Sequence, residues 1–212
     1  MGQVPEIYYN RIRYDLLKLL PANIPLENVL DIGCGAGATG EVLKREYGVK
    51  IVVGLEANQN YADKANKKID KVIICNVEEV HALPFYPGQF DLILMADILE
   101  YLVDPWNALI QYREFLKLGG ILLASIPNIQ HWHTVLNLLM GKWQYEDWGT
   151  LDRTHLRFFT KSSICELFAK SGFEVSKIDY EMGLKGKIID LLTFGIFRNF
   201  GVFKFLLLAY KK

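Results

Sequence analysis

The sequence predicts an α/β fold, a mostly parallel sheet wound with helices. Two observations carry this expectation. Apolar runs of strand length alternate with helical patterns through the first two thirds of the chain, and a glycine-rich turn lies between the first run and the first helical pattern. The 212 residues suffice for one such domain with a complete core, 1–212, and are short for two.

The elements follow in order. NVLDIG (28–33) reads as a buried strand, and ATGEVLKREYG (38–48) as a helix that turns Val42, Leu43 and Tyr47 to the sheet and closes at Gly48. KIVVGLE (50–56) is a second strand. Tyr61, Ala62, Ala65 and Ile69 recur at helical spacing, and KVIICN (71–76) is a third strand. FDLILMAD (90–97) is a fourth. A helix runs from Pro105, suited to a first turn, through Lys117. Gly119 and Gly120 stop it and lead into a fifth strand at 121–128.

Beyond Asn128 the rhythm changes. A helical pattern reaches Gly141, and an aromatic, polar stretch continues to Thr160, which N-caps a helix over 161–172. Residues 129–160, approximately, form an insertion that follows the fifth strand's carboxyl end, the edge where open α/β sheets bind ligands, and it is expected on the substrate side. A sixth strand covers 173–181 and the tail 201–212 has the bulk of a seventh; 182–200 reads only as mixed helix and loop.

Twenty-four basic and 24 acidic residues balance, which gives no electrostatic reason for a nucleic-acid partner. The run KANKKIDK reads as a solvated helix face. Cys34, Cys75 and Cys165 are odd in number and lack C-x-x-C spacing, so neither a disulfide framework nor a metal site is expected, and a reducing cytoplasm fits. The N-terminus lacks the apolar core of a secretory signal. The most apolar tract, 191–210, is broken by Arg198, Asn199, Lys204 and two glycines; burial, or at most a surface touching a membrane or partner, is expected rather than a spanning helix. Oligomeric state stays open.

LDIGCGAGATG (30–40) satisfies two glycine patterns, G-x-G-x-x-G from Gly35 and D-x-G-x-G-x-G from Asp31. Charge separates the corresponding cofactors. A carboxylate beside the loop repels a dinucleotide's pyrophosphate but suits a ligand bearing an ammonium and a sulfonium. Glu56, about twenty residues beyond the glycines, suits ribose hydroxyls in either cofactor.

VLDIGCGAG, Glu56, CNVEEVHALPFYPGQFDLILMADILEYLVDP and LKLGGILLASIPN together resemble the class I S-adenosylmethionine-dependent methyltransferases, small-molecule branch, in order and spacing. The resemblance implies a Rossmann-like, doubly wound, seven-stranded sheet, helices on both faces, with an antiparallel last strand, and S-adenosylmethionine as cofactor. It implies that Asp31, Gly33, Cys34, Gly35 and Gly37 surround the methionyl part, with Glu56 and its neighbour Ala57 at the ribose. Asn76 and Val77 would read the adenine, and Ala96, Asp97 and Leu99 would meet the sulfonium. Tyr9, beside Tyr8 and Arg13, would lie on an N-terminal helix that closes over the cofactor. Family members often carry Leu-Glu-His where this chain has Leu99, Glu100 and Tyr101, which leaves that histidine's role vacant. Asn76 as a turn cap and Glu100 as a surface residue are the plain alternatives.

A transferred methyl group needs a base only if the acceptor is a hydroxyl. His131 follows the fifth strand's carboxyl end, and His155 lies in LDRTHLRFFT. An extended backbone there turns His155 and Arg157 to one face; His155, or else His131, is the expected proton acceptor, and Arg157 the grip on a carboxylate or phosphate. The competing reading pairs Arg157 with Asp152 and uses His155 to order the insertion. DRTHLRFFT resembles bacterial methyltransferases of glycan assembly, which implies a sugar-linked or other small hydroxyl acceptor. Trp132, Trp143, Tyr145 and Trp148 would either stack on that acceptor or pin the insertion down. A cofactor-binding module without turnover and an NAD-dependent oxidoreductase are the competing functions.

Overall fold

In the computed structural model, which describes residues 9–22 and 24–212, five parallel strands alternate with helices. The chain passes through α1 (Tyr14–Leu17), β1 (Asn28–Ile32), α2 (Ala38–Tyr47), β2 (Ile51–Glu56), α3 (Gln59–Ala65), β3 (Lys71–Ile74), β4 (Phe90–Ala96), α4 (Pro105–Phe115) and β5 (Leu116–Pro127). It continues through α5 (Trp132–Leu139), α6 (Lys161–Lys170), β6 (Phe173–Met182), α7 (Leu184–Leu192), α8 (Arg198–Gly201) and β7 (Val202–Lys211). The sheet order is β3-β2-β1-β4-β5-β7-β6, and β7 alone runs against the other six.

Alternation along the strands produces two cores. Leu30, Ile32, Ile93 and Met95 face one side, where α4 and α6 cover them with Leu109, Tyr112, Leu167 and Phe168. Val29, Leu92 and Leu94 face the other, beneath Leu16 and Leu17 of α1 and Val42 and Leu43 of α2. Strands buried on both faces are what parallel β-α-β winding requires. Tyr47, expected against the sheet, is exposed at the helix end.

Three boundaries differ from expectation. The fifth strand starts at Leu116, before the glycine pair rather than after it; Leu116 pairs with Phe90 and Ile121 with Leu92, so Gly119, at φ +70°, sits in an irregularity within the strand. The unplaced 182–200 segment forms α7 and α8. The apolar tract divides: its strand half is interior, β7 lying between β5 and β6, whereas its helical half is largely exposed. Among the described residues no helix is long and apolar enough to cross a membrane.

Candidate cofactor and acceptor site

The site lies at the carboxyl ends of β1, β2, β4 and β5, the edge where open α/β sheets bind ligands. Strand β1 ends in the turn that carries Gly33, Gly35 and Gly37, all at positive φ. The chain crosses itself there. Ala36 N–H donates to the Tyr9 carbonyl at 2.9 Å, and a Cβ on Gly35 would come within 2.7 Å of that oxygen, so only glycine allows the crossing. Gly37, the residue ahead of α2, serves packing: a Cβ there would lie 3.0 Å from the Ala65 backbone of α3. Cys34 likewise faces inward, its sulfur against Gly54, and burial pushes its thiol up.

Glu56 joins loop and strand. One carboxylate oxygen accepts from Gly35 N–H and the other from Asn58 N–H, both at 2.9 Å. Ala57 between them is exposed. Asp31 pairs in register with Gly54 and Leu94 in the middle of the parallel sheet, and its Oδ2 is buried without a hydrogen-bond partner. Burial raises its carboxyl to about 7, Arg13 opposing and Glu56 adding to the rise. An unpaired buried carboxylate oxygen costs stability. Protonation, a hydrogen-bond donor or a cation brought against it would relieve it.

On the adenine side, Asn76 Oδ1 accepts from Glu78 N–H at 3.1 Å, which makes it a turn cap as well as an exposed acceptor beyond β3. Val77 is held by its carbonyl, which accepts from Tyr112 OH at 2.7 Å. The Tyr9 ring stacks on Tyr61 of α3 at 3.8 Å between centroids, so the N-terminal segment does lie across the turn. Tyr8 falls outside the described residues.

Asp97, just beyond β4, is the hub of a buried polar cluster at φ +59°. Its carboxylate accepts from Lys204 Nζ of β7 at 2.7 Å, from Arg13 at 3.2 Å and from the Ser125 hydroxyl. Burial alone would raise its carboxyl, but Lys204, Arg13 and Ser125 outweigh that and hold it low. Arg13 also donates to Asp15 and Ser125. Ala96 is half-buried and Leu99 belongs to the core. Glu100 is no surface residue: it is 1% exposed, neither carboxyl oxygen has a partner, and burial beside Asp97 raises it well above the ordinary carboxylate range.

His155 joins this cluster from the insertion. Its ring meets the Tyr101 ring edge-on at 4.7 Å, and Nδ1 lies 3.2 Å from the Thr150 carbonyl. A carbonyl only accepts, so Nδ1 carries the hydrogen and Nε2 is left as the basic nitrogen. Burial lowers its pKa, so the ring is neutral at neutral pH. A histidine thus stands beside the position where the family pattern puts one at residue 101, delivered by another segment. Arg157 does not share this wall and does not pair with Asp152. It donates to the Val103 carbonyl and lies over the Trp106 ring. His131 opens α5, its ring against Phe203 of β7 and Trp132. With Trp148 and Thr150 it borders a cleft of about 180 Å³.

Neither Ser125 nor Lys204 is among the site residues expected from the sequence. Lys204 had a signal: it is the one charge inside the run VFKFLLLAY, and a lysine there needs a buried anion.

With this geometry in view, the family model described as "Methyltransferase domain" matches residues 6–178. The chain belongs to this methyltransferase family. Trans-aconitate 2-methyltransferase of Agrobacterium fabrum is 30% identical over 113 residues, 51% of this chain and 43% of the relative. Ubiquinone biosynthesis O-methyltransferase of Cereibacter sphaeroides is 27% identical over 165 residues, 73% of this chain and 64% of that one. The chain therefore spans less than two thirds of these relatives' length. The crystal structure of a SAM-dependent methyltransferase from Archaeoglobus fulgidus superposes with a TM-score of 0.68 at 21% identity, over 93% of this chain and 91% of that one; the fold is that of Rossmann-like methyltransferases.

Proposed function

We propose that this methyltransferase binds S-adenosylmethionine at the glycine turn and methylates a hydroxyl of a small or sugar-linked acceptor, as a single cytoplasmic domain with 129–160 as its substrate-side insertion. The observation that carries the reading is Asp31, whose buried, unpartnered oxygen lies behind a turn crossed by the N-terminal segment. That pocket suits an ammonium or sulfonium and disfavours a pyrophosphate, which weighs against NAD. Both named relatives are methyltransferases, one of trans-aconitate and one in ubiquinone biosynthesis, which supports a small-molecule acceptor.

Asp31, Gly33 and Gly35 would hold the methionyl part, Glu56 the ribose, and Asn76 and Val77 the adenine. S-adenosylmethionine, when bound, supplies a methyl group on a positively charged sulfur. The residues do the rest. Asp97, locked by Lys204, Arg13 and Ser125, fixes the end of β4, and alignment of reactants is the larger share of catalysis in such a displacement. His155 Nε2 takes the acceptor's hydroxyl proton, with the Thr150 carbonyl holding the tautomer. His131 and the neighbouring tryptophans line the acceptor's approach.

Turnover tests the reading. S-adenosylhomocysteine should form with some member of a hydroxyl-acceptor panel, and His155→Ala should reduce it without weakening cofactor binding. Binding with no turnover against any acceptor would instead support a cofactor-binding module, the reading that Tyr101 in place of histidine keeps in play.

A further inference from the structure

Neither core cluster contains a residue of α5, α7 or α8, although α5 and α7 are largely apolar. Leu184, Leu191, Leu192 and Phe197 of the α7–α8 hairpin are more than half exposed, and Phe194 and Ile196 at its turn are 94% and 80% exposed. On α5 and its exit, Leu138, Leu139 and Met140 are exposed as well. The two parts are adjacent, since Lys185 of α7 lies over the Trp132 ring of α5 at 5.2 Å. The hairpin is braced rather than loose: a Cβ on Gly186 would lie 2.1 Å from the Gly201 carbonyl, so α7 and α8 touch backbone to backbone. An apolar surface of this kind marks an interaction site.

We propose that α5 and the α7–α8 hairpin dock this methyltransferase on an anionic lipid bilayer, laying Phe194 and Ile196 into its surface. Charge identifies the occupant. Lys142, Lys185 and Lys187 belong to these two segments, and Arg198 pairs with Asp190, their single carboxylate, so the segments carry a net positive charge in a chain whose overall charge is zero. A second copy packed by two-fold symmetry would bring these cations together. An anionic headgroup layer complements them, and short amphipathic helices with basic flanks lie in the interface plane without spanning it. The face adjoins the candidate acceptor site, because His131 immediately precedes α5 and touches Phe203. Docking there would bring the site to acceptors held at a lipid surface, an extension that rests on the function proposed above; the docking itself does not.

The test needs no cofactor, so it can fail independently of the catalytic reading. The full chain is co-sedimented with vesicles of phosphatidylcholine alone and of equimolar phosphatidylcholine and phosphatidylglycerol, at low and high salt. Binding is expected to the anionic vesicles and to weaken with salt. Phe194→Glu with Ile196→Glu should abolish it. Lys142→Gln with Lys187→Gln should weaken it by roughly fivefold for each charge removed, and keeps the test valid if the first pair disturbs the hairpin. Failure to bind anionic vesicles, or equal binding by both variants, overturns the proposal. So does self-association of the free protein that Phe194→Glu with Ile196→Glu dissolves, since the face then belongs to a second copy.

Discussion

Asp31, proposed above to face the cofactor's cationic part, opposes stability. Its carboxyl titrates near 7 in the folded chain against 3.8 when solvated, so between those values the folded state holds a proton that the unfolded state has released. Stability therefore falls as pH rises through that window, by on the order of 4 kcal/mol in full above it. Asp31→Asn should raise the melting temperature by several degrees at pH 8, with the gain vanishing toward pH 4, while cofactor binding is lost. Equal melting at both pH values would show that Asp31 is solvated. His155 is argued from the opposite property, a neutral ring with a fixed tautomer. His155→Ala should lower kcat by about 10²–10⁴-fold and leave the cofactor Kd unchanged, as single-turnover and equilibrium binding would show.

At the level of elements, β4, β5, β7 and the N-terminal segment are tied together through Asp97. Removing that carboxylate leaves Lys204 without its buried partner, so Asp97→Ala should cost about 3–5 kcal/mol in urea denaturation. A loss below about 1 kcal/mol would mean that solvent screens the cluster. At the turn, Gly35→Ala sets a methyl group against the Tyr9 carbonyl. The crossing segment should loosen, read as faster tryptic cleavage at Arg11 and Arg13 with β1 unaffected. These elements also show what a sequence can tell. The turn, Asp31 and Glu56 were legible because their chemistry lies in one β-α-β unit, where glycine spacing and strand ends are local. Lys204 meets Asp97 across 107 positions, and only the insertion of β7 between β5 and β6 brings them together. Glu100 misled for a related reason: a short polar turn reads as surface until the 150–157 segment is laid over it, its Leu156 and Arg157 amides donating to the Glu100 carbonyl. The early start of β5 was hidden because two glycines look like a stop, whereas here they lie within the strand.

Across the whole molecule, the function proposed above makes the strand ends a receptor for a cation. Asp31 keeps an unpaired oxygen, while Asp97 already has Lys204 and Arg13 and burial drives Glu100 toward its neutral form. On that proposal the imbalance separates this doubly wound sheet from one built for a dinucleotide, and it yields a direct measurement: thermal unfolding at pH 7.5 with S-adenosylmethionine or NAD in excess. A ligand at a hundred times its Kd adds about 2.7 kcal/mol, or roughly 5–11 °C for a chain of this size. S-adenosylmethionine should produce that shift, Asp31→Asn should remove it, and NAD should leave the melting curve where it was. A shift with NAD and none with S-adenosylmethionine would contradict the cationic pocket.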